Sequence, residues 1–134
     1  MTKERVSVKD VMTQHWIAVD GIKTIAEGLG EIQSERIDAF IINKRDQHDE
    51  YGLVLLSDIG KQVLAKGRAP ERVNLYEIMS KPLISVQSDM DIRYCTRLFE
   101  RFGLHVVPVV DDGQVVGVVT YRELVVQGLK SAIH

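Results

Sequence analysis

Two acidic residues, Asp58 and Glu123, follow apolar stretches and stand where the sequence pattern predicts the first turn of a helix. An ionised carboxylate at that position can accept hydrogen bonds from two neighbouring hydroxyl groups of a ligand. Ser57 precedes the first acid and Thr120 stands three residues before the second, so hydroxyl groups accompany both. Acids also favour a helix start without any ligand, because negative charge complements the helix dipole. Both interpretations stay open at the level of sequence.

Other patterns that carry chemistry are weaker. The acidic loop 46–50 contains one histidine, but it lacks ligands at a fixed spacing and is typical of a solvated loop. Cys95 falls on the apolar side of its predicted helix with Ile92, Phe99 and Phe102, which favours a small buried hydrophobe. The sequence contains no glycine-rich phosphate loop, nucleophile elbow or HExxH motif.

The elements that must position the two acids occur twice along the chain. Residues 10–43 align with residues 77–110 without a gap when 67 is added to each number. Met12 then falls on Met79 and Ile17 on Ile84. This period exceeds the roughly 20 to 50 residues of solenoid repeats. We therefore expect two copies of one small αβ unit that share a core.

The apolar periodicity predicts the same order of elements in both copies, and it sets repeat 1 at 7–66, a connector at 67–73 and repeat 2 at 74–132. Gly28 and Gly30 interrupt a predicted helix, and we expect close packing at both. The valine-rich strands near the C-terminus predict burial on both faces. The predicted helices are 7–13, 23–35, from 57, 74–80, 90–102 and 121–132, and the predicted strands are 16–19, 38–43, 51–55, 83–86, 105–111 and 114–119.

Composition narrows the class of protein. The 134 residues are 45% hydrophobic and 27% charged with a formal charge of −2, which is ordinary for a globular protein and disfavours binding to nucleic acid. No apolar run approaches the roughly 20 residues of a membrane span, and the first residues lack the apolar stretch of a secretory signal. One cysteine cannot form an internal disulfide. We expect a cytoplasmic protein that does not bind membranes.

At this point the chain resembles a pair of CBS domains, the regulatory module named after cystathionine β-synthase and also called a Bateman module. The segment 103–111, Gly-Leu-His-Val-Val-Pro-Val-Val-Asp, resembles the glycine-then-strand segment of that family, and Gly117 to Glu123 resembles its Gly-apolar-apolar-Thr-x-x-Asp ending. Gly52 to Asp58 keeps the glycine and the acid but has Leu55 in place of the hydroxyl. The resemblance implies an α/β fold of two tandem β-α-β-β-α repeats, packed as a pseudo-two-fold pair with clefts between them.

The resemblance also implies an adenosyl ligand, such as AMP, ADP, ATP or S-adenosylmethionine, in those clefts. In the family each acid faces the first strand and glycine segment of the opposite repeat. One cleft would be formed by Ser57, Asp58, Met79, Ile84 and His105. The other would be formed by Met12, Ile17, Asp38, Thr120, Arg122 and Glu123. Leu55 weakens the first cleft, and Glu123 with the additional carboxylate of Asp38 weakens the second.

Several of these side chains have a structural alternative. His105 and Arg122 could bind phosphate by analogy with the family, or lie at a strand edge and on the solvated surface. Met12 and Met79 could hold the faces of an adenine ring, or simply fill the core.

We expect a free-standing sensor without catalytic activity or a catalytic cofactor, which signals by a conformational shift to an unknown effector protein. The resemblance implies a homodimer, with 57–66 and 121–132 as the expected surface. The main alternative is an interaction scaffold with vestigial clefts. A nucleotide hydrolase using Asp58 or Glu123 as its base is disfavoured, because no second catalytic group accompanies either acid.

Overall fold

The structure is a computed structural model that describes residues 5–33, 36–81 and 84–133. The chain divides into two compact units. The central unit spans His15–Leu83, and the terminal unit combines the chain up to Gln14 with the chain from Ile84 onwards.

The central unit is built on a three-stranded sheet. Strand β1 (Trp16–Val19) lies parallel to β2 (Ala39–Ile42), which pairs antiparallel with β3 (Gly52–Val54). Every residue of β2 and β3 is buried, so these apolar strands form the centre of the unit. Helices α1 (Ile25–Gly30), α2 (Leu56–Ile59) and α3 (Leu75–Ile78) complete it, and α2 continues as a π-helical turn over Gly60–Leu64.

Helix α1 begins at a reciprocal cap. The Glu27 amide donates to the Thr24 hydroxyl at 3.1 Å, and the Thr24 amide donates to the Glu27 carboxylate at 3.0 Å. The predicted close packing is confirmed at Gly28, where an added β-carbon would lie 3.2 Å from the Leu75 side chain. It is wrong at Gly30, because nothing lies within 4 Å of an added β-carbon there. The helix ends at Gly30, five residues before the predicted boundary at 35; residues 34 and 35 lie outside the described residues.

The terminal unit is built on a hairpin between two long helices. A short 3₁₀-helix (Val8–Asp10) precedes helix α4 (Ile92–Phe102), the antiparallel strands β4 (Val106–Asp111) and β5 (Gln114–Thr120), and helix α5 (Tyr121–Ala132). The hairpin turns at Asp112 and Gly113, whose φ angles of 50° and 77° are left-handed, as the predicted turn requires. Val107, Val109, Val118 and Val119 are all buried. Consecutive buried residues confirm that part of each strand is covered on both faces.

The apolar side of helix α4 is narrower than predicted. Cys95 and Phe99 are fully buried in the terminal core, as expected. Phe102 is 51% exposed, so its predicted burial is wrong. Phe102 is the last residue of α4, and Gly103 turns the chain away in the left-handed conformation with a φ of 63°.

The boundaries of the two compact units differ from those of the two sequence repeats. The reason is that the opening helix of each repeat packs on the strands of the other repeat. The Val8 amide donates to the Met90 carbonyl, and the Thr13 amide donates to the Val118 carbonyl, both at 2.8 Å. In the central unit the Leu53 amide donates to the Ser80 carbonyl, also at 2.8 Å. The repeat bounds 7–66 and 74–132 stay a prediction about sequence, whereas the packing units are drawn differently.

Candidate functional site

In the terminal unit the predicted site lies where strand β5 passes directly into helix α5. Thr120 ends the strand and caps the helix, since its hydroxyl accepts a hydrogen bond from the Glu123 amide at 3.1 Å. The Glu123 side chain turns inward, and the residue is only 7% exposed. Arg122 is mostly exposed, and its Nη1 atom lies 3.2 Å from Oε1 of Glu123. Helix start and ion pair together hold a nearly buried carboxylate.

His105 joins this group through the backbone. The Tyr121 amide donates to the His105 carbonyl at 2.9 Å, and His105 directly precedes strand β4, whose first residue pairs with Thr120. The imidazole is exposed. The hairpin therefore brings His105, Thr120 and Glu123 to one end of the terminal unit.

A methionine covers the glycine of the same strand. A β-carbon at Gly117 would lie 2.9 Å from the Met12 sulfur and 3.1 Å from the Thr13 carbonyl oxygen. Met12 and Ile84 are both half-buried and pack against the terminal core. Each can contribute to the core and still present apolar surface at its edge.

The central unit repeats this arrangement with different side chains. Leu55 occupies the cap position of α2 and has no hydroxyl, so its backbone amide instead donates to Oδ2 of Asp58 at 2.8 Å. Asp58 is half-buried and Ser57 is exposed. A β-carbon at Gly52 would lie 2.6 Å from the Met79 sulfur.

Ile17 and Asp38 also belong to the central unit. Ile17 is half-buried and packs against the central core. The Asp38 amide donates to the His15 carbonyl at 2.7 Å, and its carboxylate lies 3.6 Å from Nδ1 of the same histidine. The structure thus gathers Ile17, Asp38, Ser57, Asp58 and Met79 in one unit and Met12, Ile84, His105, Thr120, Arg122 and Glu123 in the other. The grouping of these residues into two clefts stays a prediction.

Part of the chain matches a model of a known protein family. Residues 75–127, which run from the start of α3 to the middle of α5, match the family model described as CBS domain. This segment belongs to the CBS domain family. Its mixed helices and strands form the α/β fold of CBS domain pairs, as the resemblance implied.

Similar proteins extend the match over most of the chain. An uncharacterized protein of Methanopyrus kandleri is 29% identical over 121 residues, which cover 89% of this chain and 61% of the relative. The hexameric CBS-CP12 protein from bloom-forming cyanobacteria superposes with a TM-score of 0.85 at 26% identity, covering 93% of this chain and 69% of that one. The CBS domain pair of protein MJ0100, in complex with 5′-methylthioadenosine and S-adenosyl-L-methionine, gives a TM-score of 0.74 at 26% identity over 94% of this chain and 98% of that one.

The chain is shorter than several proteins it matches. It spans 61% of the Methanopyrus relative and 42% and 46% of two further curated relatives. Whole-protein properties of those relatives therefore bear on this chain only through the shared segment.

Sequence reasoning missed two features of the candidate site. It did not foresee that Arg122 pairs with Glu123, because neighbouring helical residues do not ordinarily face each other. It also did not foresee the contacts of Met12 and Met79 with strand glycines, although the aligned Gly52 and Gly117 were a signal for close approach.

Two classes of site find no support among the described residues. No group of three or more histidine, cysteine or acidic side chains is arranged to hold a metal ion in the part of the chain that the structure describes. Within the same ranges, no helix has both the length and the apolar character needed to cross a bilayer. Burial raises the pKa of the Cys95 thiol to about 11, which opposes formation of a reactive thiolate.

Proposed function

We propose that this CBS protein is a non-catalytic regulatory module that binds an adenosyl ligand, such as AMP, ADP, ATP or S-adenosylmethionine. One duplicated arrangement carries the proposal. In each unit a carboxylate at the first turn of a helix stands six residues after a strand glycine that a methionine covers: Asp58 after Gly52, and Glu123 after Gly117. Capping alone explains an acid at a helix start, but it does not explain why the acid, glycine and methionine recur together.

The carboxylates are suited to the two hydroxyl groups of a ribose. Asp58 accepts one hydrogen bond from the Leu55 amide, and an ionised carboxylate offers about four acceptor sites, so capacity remains for vicinal hydroxyls. The exposed Ser57 hydroxyl can add a further contact. We assign the ribose of the ligand to Asp58 in one unit and to Glu123 with Thr120 in the other.

The half-buried apolar side chains that were predicted to line the clefts are suited to adenine. Met79 and Ile17 in the central unit, and Met12 and Ile84 in the terminal unit, pack on the cores and are partly accessible. Apolar side chains that flank a planar ring, with a few polar groups for orientation, are typical of small-molecule sites.

We assign phosphate, where the ligand has one, to His105 and Arg122. His105 is exposed, and its carbonyl accepts a hydrogen bond from the Tyr121 amide directly after the Thr120 cap. Arg122 is paired with Glu123 in this structure, so a phosphate would compete with that carboxylate for the guanidinium. The assignment predicts that removing Arg122 weakens binding of AMP more than binding of adenosine.

The similarity to the MJ0100 domain pair supports the ligand class, because that protein was solved with 5′-methylthioadenosine and S-adenosyl-L-methionine. Regulation would follow from a population shift, since a ligand that binds one conformation more tightly raises its share. An effector protein would then respond to the favoured conformation.

A calorimetric titration with AMP, ADP, ATP, S-adenosylmethionine and methylthioadenosine tests the proposal. We expect Asp58→Asn and Glu123→Gln to weaken binding of whichever compound binds wild type. The matched control is Glu27→Gln, because Glu27 lies outside the predicted site and accepts a hydrogen bond from the amide of its cap residue, as Asp58 does. A ligand at 100 times its Kd should also raise the free energy of unfolding by about 2.7 kcal/mol.

The result decides between the sensor and its alternative. If no adenosyl compound binds at millimolar concentration, the protein is better described as an interaction scaffold with vestigial sites. The missing hydroxyl at Leu55 and the Arg122–Glu123 ion pair are the observations that favour the scaffold. If a compound binds wild type and both acid variants with the same affinity, the proposed ligand class is correct but the assignment of the ribose to Asp58 and Glu123 is wrong.

We also propose a homodimer built on the exposed helices. An apolar groove of about 880 Å³ lies along α4 and α5, and Val125, Leu129 and Ile133 on α5 and just beyond it are 38%, 59% and 71% exposed. Leu64 in the predicted 57–66 surface is 82% exposed. Exposed apolar surface of this kind marks interaction sites. Sedimentation equilibrium should report a dimer for wild type and a monomer for Leu129→Glu, whereas Gln127→Glu, an exposed site on the same helix, should stay dimeric.

A further inference from the structure

A second pocket lies in the central unit, beyond the C-terminal ends of β1 and β2. It encloses about 550 Å³. Its apolar wall comes from Ile22, Ile42 and Met79 together with the ring of Tyr76, and its rim carries Lys44 and Arg45. No predicted ligand-binding residue other than Met79 lines it.

The topology of the sheet separates this pocket from the proposed ribose site. Strand β3 runs antiparallel to β2, so Gly52 pairs with Ile42 and Val54 pairs with Phe40. Asp58 follows the Val54 end of β3, whereas the pocket lies at the Ile42 end. The two sites are therefore at opposite ends of β2, with Met79 on the side of the pocket.

Two apolar residues of the pocket wall, Ile22 and Tyr76, are replaced by charged residues at the aligned positions of the terminal unit. Adding 67 to Ile22 and Lys44 gives Asp89 and Asp111, and subtracting it from Tyr76 gives Lys9. In the terminal unit Asp111 closes this edge, because its carboxylate accepts hydrogen bonds from the Ser88 hydroxyl at 2.6 Å and the Ser88 amide at 3.0 Å. The shared fold does not require apolar residues at these positions, because the terminal unit has charged ones. The apolar residues of the central unit therefore indicate a local role.

The apolar side chains in the pocket are unusually accessible for their size. Ile22 is 77% exposed and Tyr76 is 53% exposed. The wall that holds them is tightly built: the Tyr76 amide donates to the Gly21 carbonyl at 3.0 Å, and a β-carbon at Gly21 would lie 3.1 Å from that of Tyr76. A preformed concave surface with an accessible aromatic ring suits a flat apolar ligand.

The charged groups favour an anion. Asp49 is already engaged by the Arg45 amide at 2.9 Å and by Lys81 at 3.0 Å, which hold the pKa of its carboxyl well below the usual range. The Arg45 side chain is paired with the same carboxylate, with Nε 3.3 Å from Oδ2. Asp20 accepts a hydrogen bond from the Asn43 amide group at 2.9 Å. Lys44 instead contacts the ring face of Tyr51, 4.9 Å from its centroid. An anionic group can therefore reach a cation at the rim without displacing a carboxylate from Lys44.

We infer that this pocket binds a small planar aromatic ring that carries a carboxylate or phosphate group. The ring lies against Tyr76 and Ile22, and the anionic group lies against Lys44. This pocket shares Met79 with the residues proposed to hold adenine, but its occupancy does not depend on Asp58 or Glu123.

Amide NMR spectra of the full chain test the inference with indole-3-acetate and its neutral analogue indole-3-acetamide as probes. We expect indole-3-acetate at millimolar concentration to shift the amides of residues 21–22, 43–45 and 76, and to bind about tenfold more tightly than the amide. Tyr76→Lys and Ile22→Asp, which install the residue types of the terminal unit, should abolish these shifts. Tyr94→Lys is the matched control, because Tyr94 is a similarly exposed tyrosine outside the pocket.

Each other outcome overturns the inference in a defined way. Equal affinity for indole-3-acetate and indole-3-acetamide would show that the pocket does not recognise an anion. Unchanged affinity for indole-3-acetate in Lys44→Gln, which leaves the apolar wall intact, would show the same. Absence of shifts at these amides removes the site. Shifts of the same amides on dilution of the protein alone would identify a second copy of the chain as the occupant.

Discussion

The Met79 sulfur lies so close to Gly52 that a β-carbon on the glycine would come within 2.6 Å of it, and within 3.0 Å of Cβ of Ile42. Met12 and Gly117 repeat the relationship in the terminal unit at 2.9 Å. A real β-carbon does not approach other atoms so closely, so glycine is required at both positions while the methionines stay in place. The two contacts join the opening segment of each repeat to a strand of the other.

Gly52→Ala should therefore destabilise the protein by about 1 to 3 kcal/mol, the usual cost of overpacking a core. The sulfur can rotate away, but the Ile42 β-carbon is fixed on the adjacent strand. Because Met79 must move, the variant should also bind its adenosyl ligand more weakly. Chemical unfolding monitored by circular dichroism measures the first effect, and calorimetry measures the second.

Gly60→Ala is the matched control for that substitution. Gly60 has helical φ and ψ angles of −57° and −47°, and nothing lies within 4 Å of an added β-carbon. Alanine there should stabilise the protein by up to about 1 kcal/mol, because glycine loses more backbone freedom on folding. Equal destabilisation by both variants would show that the Met79 contact is not the cause.

Much of the fold could be predicted because local signals agree with it. Helix α5 occupies the predicted residues 121–132, and the Asp112–Gly113 turn has the left-handed angles that its sequence requires. The opening helices were harder: the predicted helix 7–13 contains only the 3₁₀ turn Val8–Asp10. Their conformation depends on long-range bonds such as the one from the Val8 amide to Met90, which no local pattern reports.

The helix-start acids and the strand glycines could be predicted from the sequence, but their packing partners could not, and the assignment of these residues to a ligand site stays a prediction. Acids at helix starts and duplicated glycines are local signals, and in the structure both acids stand in the first turn of a helix and both glycines lie under a methionine. The exchange of opening segments between repeats is a matter of topology. Met12 packs on Gly117 rather than on Gly52. Because both glycines fit the same sequence motif, the sequence does not indicate which of them each methionine contacts.

Leu55→Thr should convert the central site toward the terminal one. A threonine at this cap position can accept a hydrogen bond from the Asp58 amide, as Thr120 does from Glu123, and can donate to a ribose hydroxyl. One additional hydrogen bond should tighten ligand binding about two- to tenfold. Calorimetry of Leu55→Thr measures the gain of a hydroxyl group, and calorimetry of Thr120→Val measures its loss. Unchanged affinity in both variants would show that these hydroxyl groups do not contact the ligand.

Ser88→Ala should reduce stability at neutral pH and lose its effect in acid. The Ser88 hydroxyl and then its amide hold the pKa of Asp111 below its usual value, so the ionised carboxylate stabilises the folded protein. A lowered folded-state pKa contributes stability that is complete above the unfolded value, about 3.9, and is lost as the pH falls through the folded value. Urea unfolding at pH 7 and at lower pH measures the difference from wild type, with Ser85→Ala at an exposed serine as control. A difference that stays constant with pH would exclude the ionised bond.

Cys95 should react with a thiol reagent only when the protein unfolds. Its side chain is fully buried beside Phe99, and burial raises the pKa of the thiol to about 11, so the reactive thiolate is scarce at neutral pH. Labelling with dithionitrobenzoate should be slow in native buffer and rapid in denaturant. An adenosyl ligand that binds only the folded state should slow native labelling further, in proportion to the stability it adds. Rapid native labelling would instead mean that helix α4 opens locally, because the reagent would reach Cys95 without global unfolding.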